Sequence, residues 1–332
     1  MLFEFDSDQR LLREIVRDVT AKECAPPLIR DVVDKGVDPA ALWQTYVGLG
    51  WTELADPAAA VELGIVFEEL GRATDPTPFL ATMSQFAPLV AAAGRVDRPG
   101  AAVYSGVSAA HDGAGWRLHG TARHVLDGDR AARLAVVTDA GVFVVDTGAV
   151  SARRIPVFDP VLHVADVTFD DVAVAASDRV DADVARAHQC ALTGMALTTV
   201  GACRRILDLV LEHVRGRDQF GVPIGSFQAV QHKAADMHVA IERARALGFF
   251  AALCLAADDP RRRLAASMAK AAAGECQSLV FKHGVQLFGA MGFTWENDLQ
   301  FALKRAKAGE LLLGGAAEHR AIVAEEYRAT HL

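Results

Sequence analysis

The stretch RDQFGVPIGSFQAVQH, residues 217–232, decides how this chain is put together. Upstream of it, ADVARAHQCALTGMALTTVGACRRILDLVLEHVRGR has almost no helix breaker, enough for about 45 Å of helix. Arg217 follows Gly216 at the end of that run, in a turn closed by Phe220-Gly221. Ser226 then fits an N-cap for a second long run, SFQAVQHKAADMHVAIERARALGFFAALCLAADD. A third run is RRRLAASMAKAAAGECQSLVFKHGVQLFG, and a fourth is ENDLQFALKRAKAGELLLGG. Long helices joined by short breaks predict an antiparallel four-helix bundle, and the many alanines allow close approach.

Working back toward the N-terminus, residues 100–177 change character. RLAVVTDAGVFVVDT reads as two Val-rich strands around Asp139-Ala140-Gly141, a hairpin signal. GWRLHGTARHVLDGD carries a turn at His119-Gly120 between short strands, and LHVADVTFDDVAVAA reads as a strand pair or a bend. The first ~95 residues are helical again. Asp6 with Gln9 fits a capping box, followed by Leu11, Leu12, Ile15, Val16 and Val19 at helical spacing. DPAALWQTYVGLGW, DPAAAVELGIVFEELGRA and the apolar stretch after DPTPF give three more helices. The expected organisation is α+β and mostly α: an N-terminal helical domain over 1–97, a small middle β domain over 98–180, and a C-terminal bundle over 181–332.

Composition narrows the function. The 332 residues include 34 basic and 42 acidic side chains, a net charge of -8 that gives no general pull toward nucleic acid or anionic membrane. Neither is an expected partner. The start has no signal-peptide pattern, and no uncharged apolar run approaches membrane-spanning length. The five cysteines are an odd, widely spaced set without C-x-x-C, which predicts reduced thiols and a cytoplasmic protein. His232, His238 and His283 have no partners at metal-ligand spacing.

The four runs carry two motifs. RDQFGVPIGSFQAVQH resembles the R-x-x-F-G-x-x-x-x-x-x-Q signature of the acyl-CoA dehydrogenases, and VQLFGAMGFTWENDLQFALKRAKA resembles their Q-x-F-G-G-x-G-[FY] signature and the helix after it. The opening FDSDQRLLREIVRD fits as well, so the resemblance spans essentially the whole chain, with shorter N-terminal and β regions than the family norm. On composition alone Arg217 is a solvated arginine, Gln219, Gln228 and Gln286 are solvated amides, and Gly289 ends a helix. The resemblance implies more: Arg217, Gln219, Phe220, Gln228, Gln286 and Gly289 would face the pyrophosphate and adenosine half of an FAD seated on a neighbouring subunit. A guanidinium there can fork onto a phosphate with two charge-assisted bonds.

Other family features are missing. Neither the T-E-P-x-x-G-S loop nor the W-[IV]-T strand that holds the flavin ring is present; HVLDG places His124 for the Trp and Leu126 for the Thr. The family's catalytic glutamate falls on Leu313, and its alternative position falls on Ala191, followed by Leu192. Neither side chain can accept a proton from the α-carbon of a thioester. Glu310 lies three positions before Leu313 on the same helix and is the closest substitute, ahead of Glu318 and Glu296, but its plainer reading is a solvated glutamate at a helix end.

The resemblance therefore implies the non-catalytic, short subunit of the α2β2 acyl-CoA dehydrogenases of actinobacteria. A catalytic partner subunit would supply the base and the ring pocket, with FAD shared at the interface. The acyl-CoA, steroid-derived in this branch, would be reached through the complex, and an electron-transfer protein would take the electrons. Two other readings stand beside it: a homo-oligomeric enzyme using Glu310, and a structural subunit without FAD.

Overall fold

The computed structural model describes residues 4–90, 96–113 and 115–331. Helices α1 (Ser7–Glu23), α2 (Pro26–Lys35), α3 (Ala40–Gly48) and α4 (Ala60–Ala73) open the chain. The Asp6 capping box forms as expected, with the Asp6 carboxylate accepting from the Gln9 amide at 2.9 Å and the Gln9 side chain accepting from the Asp6 amide. α2 was not anticipated. Its start is Pro26-Pro27, where a missing N–H costs nothing because the first turn has no intrahelical acceptors to serve. A buried helical segment follows, α5 (Phe79–Ala81), a π-helical turn over Thr82–Phe86, and α6 (Ala87–Val90). The last few positions of the N-terminal stretch, residues 91–95, lie outside the described residues.

The middle unit holds two four-stranded sheets. One has the order β1 (Gly100–Val103), β4 (Arg133–Thr138), β5 (Gly141–Asp146), β8 (Arg179–Val180); the other runs β2 (Val107–His111), β3 (Trp116–Leu126), β7 (Val164–Val174), β6 (Ser151–Arg154). The β4–β5 hairpin turns at Asp139-Ala140 as its residues predict, with Thr138 opposite Gly141. The expected turn at His119-Gly120 does not form. β3 runs straight through it, and the irregularity is a bulge between Leu118 and Gly120 opposite the left-handed Asp171. For the same reason LHVADVTFDDVAVAA is one strand, bent at that bulge, and not a pair. The two sheets bury a common core around Leu118, Leu134, Phe143, Val167 and Phe169.

The C-terminal helices are α7 (Val184–Gly216), α8 (Gln228–Ala256), α9 (Arg262–Phe288), α10 (Leu299–Leu311) and α11 (Ala316–His331). α7 to α10 form the bundle, with α11 laid against α9. Its core is alanine- and valine-rich around α7 and α9, where Val200, Ile206, Val210, Ala269 and Val280 are fully buried. A two-residue hairpin, β9 (Asp218–Gln219) with β10 (Val222–Pro223), joins α7 to α8. Ser226 is not the cap of α8: its hydroxyl donates to the Pro223 carbonyl at 2.7 Å within a 3-10 turn, and Phe227 holds the capping position with no side-chain bond.

Candidate functional site

Arg217 caps the C-terminus of α7 in extended conformation, its amide bonded to the His213 carbonyl at 3.0 Å. The hairpin turn is completed by Phe220 and Gly221, both with positive φ, and the Arg217 carbonyl accepts from the Ile224 amide at 2.8 Å. This geometry turns the motif outward. Arg217, Gln219 and Gln228 are exposed, and Phe220 is 93% exposed. The Gln219 side chain donates only to the neighbouring Asp218 carbonyl.

The second motif ends α9 at the same corner. The His213 ring lies stacked on Phe288, centroids 4.4 Å apart and planes 13° from parallel, which links the two motifs. Burial against this ring, with Arg217 nearby, lowers the His213 pKa from its ordinary value. Gln286 is exposed on the last turn of α9. Gly289 has φ 61° and ψ −141°, a conformation that side chains with a Cβ avoid, and there is open space where its Cβ would be. The six residues thus share one outward-facing bundle corner, built from Arg217 to Gln228 on one side and Gln286 to Gly289 on the other.

A different place in the molecule gathers the residues that the resemblance sets at the positions of the flavin ring and the base. A cavity of about 500 Å³ lies between the middle unit and the end of α10. His124, Val125 and Leu126 of β3 form one wall, and Leu311, Leu312 and Leu313 form the opposite one. Gln85 on the π-helical turn, Tyr104, Arg123, Phe158, Asp159 and Leu162 line it as well. The Leu313 wall is tightly held. Leu313 itself sits at φ 61°, its carbonyl accepting from His319 Nε2 at 2.8 Å. The fully buried Lys270 ammonium donates to the carbonyls of Glu310 and Gly314 at 3.0 and 2.6 Å, and burial pushes its pKa down to about 8.

No free carboxylate faces this space among its described lining residues. Asp159 lines it but is fully buried and engaged at both oxygens, by Arg305 Nε at 2.7 Å and by the Val161 amide at 3.0 Å. Glu310 is not part of the wall: its carboxylate pairs with Lys307 at 2.8 Å. Ala191 is buried within α7, away from the lining. Glu296 is exposed near the start of α10, its carbonyl bound by Arg30, and Glu318 is exposed on the first turn of α11. Among the described residues there is also no cluster of three metal-ligating side chains.

The residues present fit one half of an FAD. At the bundle corner a guanidinium, exposed amides, an exposed aromatic ring and a glycine with room beside it suit a pyrophosphate and an adenosine. At the cavity they do not fit the ring half. Leu126 is buried and apolar where a hydroxyl donor would be needed, and His124 stands in for the stacking indole. Sequence reasoning did not foresee Gln85, Tyr104, Phe158 and Asp159 at this cavity, because they come from four separate segments whose convergence no local pattern encodes.

Helical opening, two-sheet middle and long-helix bundle with an outward corner of Arg, Gln and Gly define the acyl-CoA dehydrogenase class, whose members bind FAD. The chain belongs to that family. Residues 192–327 match the acyl-CoA dehydrogenase C-terminal domain. Acyl-CoA dehydrogenase IpdE2 of Mycobacterium tuberculosis is 32% identical over 94% of this chain and 94% of that protein. Its Mycolicibacterium smegmatis counterpart is 31% identical over 94% of this chain. In structure, the chain is similar to the ChsE4-ChsE5 complex from Mycobacterium tuberculosis, with a TM-score of 0.90 at 24% identity over 99% of both chains. It is also similar to a variant of the Tcur3481-Tcur3483 steroid acyl-CoA dehydrogenase, with a TM-score of 0.85 at 26% identity over 98% of both chains. Among the described residues no helix is long and apolar enough to cross a membrane.

Proposed function

We propose that this chain is the non-catalytic subunit of a heteromeric acyl-CoA dehydrogenase, one that completes the FAD site of a catalytic partner. The observation that carries this reading is the split between the two places. The corner with Arg217, the glutamines and Gly289 is turned outward, with Phe220 93% exposed, whereas the cavity that the resemblance sets at ring and base is lined by Leu313 and has no free carboxylate among its described lining residues. An exposed aromatic beside a charged, glycine-containing corner is what an interface that reaches across to another subunit needs.

In this reading Arg217 binds a pyrophosphate, Gln219, Gln228 and Gln286 orient the adenosine half, and Phe220 and Gly289 make close contact with it. The bound FAD would supply the hydride acceptor for α,β-dehydrogenation of an acyl-CoA thioester. The partner would contribute the carboxylate that removes the α-proton. Two of the structural relatives are two-component complexes, and one is described as a steroid enzyme, which supports a bulky, steroid-derived thioester as substrate class. An electron-transfer protein is the expected acceptor of the electrons.

The test is purification of the chain alone and with its partner. Alone it should be colourless or poorly soluble, and together the two should copurify with about one FAD per heterodimer. A stable homotetramer carrying one flavin per chain would overturn the reading in favour of a self-sufficient enzyme.

A further inference from the structure

The cavity at Leu313 presents no free carboxylate among its described lining residues, yet it is open. Its volume of about 500 Å³ lies within the range of sites that enclose small molecules. Its walls are mostly apolar, and two large apolar side chains stay open to solvent at it, Phe158 at 52% and Leu311 at 58% exposure. An apolar ligand therefore meets apolar surface on entry and within.

Both walls are shaped at a conformational cost. On β3 the pairing with β7 shifts register between Ala122 and Val125, and His124 within this bulge sits at φ 58°. In a regular strand Arg123 and His124 would point to opposite faces; the bulge places both at the cavity. Opposite, Leu313 is also left-handed, and the Lys270 and His319 hydrogen bonds hold the turn that carries it. Strained non-glycine residues persist where the surrounding structure fixes them, and they cluster at ligand clamps.

From this geometry we infer that the cavity is a binding site, without turnover, for an apolar carboxylic acid, whose carboxylate pairs with Arg123 and His124 at the bulge. Arg123 is exposed and lies at the cavity, and its planar fork matches a carboxylate. The remaining described lining residues carry no second basic group to meet the several phosphates of a coenzyme A ester, which favours the free acid. With Asp159 engaged by Arg305 and Val161, the site offers no free carboxylate to act on its ligand. This inference is independent of whether the chain completes a partner's FAD site.

The probe is a dansyl-labelled undecanoic acid, titrated into the purified protein, with its partner where the two copurify and alone where they do not, and displaced by dodecanoate, dodecanol or dodecanoyl-CoA. The component that belongs to this chain is the part removed by Leu312→Trp, which fills the cavity from a residue in ordinary extended conformation. Dodecanoate should displace that component at least tenfold better than dodecanol. Arg123→Gln, an exposed substitution that leaves the core untouched, should weaken dodecanoate at least tenfold and leave dodecanol unchanged. FAD content should not fall at saturation. Absence of a component sensitive to these variants, equal displacement by acid and alcohol, loss of FAD on binding, or displacement by dodecanoyl-CoA tenfold better than by the acid would each overturn the assignment.

Discussion

The guanidinium of Arg305 on α10 donates to Asp159 Oδ2 at 2.7 Å, with the two side chains 5% and 0% exposed. The same guanidinium donates to the Asp75 carbonyl at 2.9 Å, so one buried side chain ties the bundle to the loop before β7 and to the turn after α4. Arg305→Met leaves Asp159 buried without its partner and should cost about 3–5 kcal/mol. The double variant Arg305→Met, Asp159→Leu should recover most of that loss, because no unpaired charge remains. Melting curves of the wild type and the two variants decide it: a double variant no more stable than the single one would mean that the bond to Asp75 dominates.

Asp75 itself gives a pH dependence. Burial, partly opposed by bonds from Thr77, pushes its pKa from 3.8 up to about 6. Its folded pKa is the higher one, so the folded state holds this proton more tightly than the unfolded chain. The resulting contribution favours folding at acid pH and is lost as pH rises from about 4 to about 6. Asp75→Asn should remove this downward trend in melting temperature over that window. An unchanged slope in the variant would locate the titration elsewhere.

Glu310 is tied to Lys307 and stands outside the cavity. Glu310→Gln should leave turnover of the complex within a few-fold. A loss of roughly 10³-fold with FAD retained would make it the base. Leu313→Glu should give the isolated chain no activity, since the residues beside it do not fit the ring half of a flavin.

Arg217→Ala should lower FAD affinity of the copurified complex by at least tenfold, as charged hydrogen bonds of this kind contribute roughly 1.5–3 kcal/mol each. Arg217→Lys should restore only part, because an ammonium lacks the two-point fit. Unaltered FAD content and rate in Arg217→Ala would remove the main support for a cofactor role of this chain.

The long helices were legible because nothing in residues 184–216 interrupts them, and the β4–β5 hairpin because Asp139-Ala140-Gly141 is strong turn chemistry. The bulges of β3 were not. His119-Gly120 looks like a turn locally, yet pairing with β7 on one side and β2 on the other keeps the strand extended. That the resemblance puts Leu313 where the family has its glutamate is a reading of the chain, whereas the cavity beside Leu313 was not legible there. It depends on Phe158, Gln85 and Tyr104 meeting from segments far apart in sequence. Ser226 misled for a simpler reason: a serine before a helix also satisfies a 3-10 turn, and here the turn won.

Where α4 crosses α7, the two backbones touch. A methyl group on Gly71 would lie 2.1 Å from the Thr198 carbonyl oxygen, and one on Gly201 would lie 1.9 Å from that of Glu68. Each helix lends the other a glycine, so the crossing admits no sliding and no side chain between. The opening helices and the bundle therefore meet backbone to backbone at this crossing, with no layer of side chains between them. Cutting the chain ahead of the strands would strip α7 of the surface that its bare glycine face was made to meet, and the remaining bundle would expose backbone where it now has a partner.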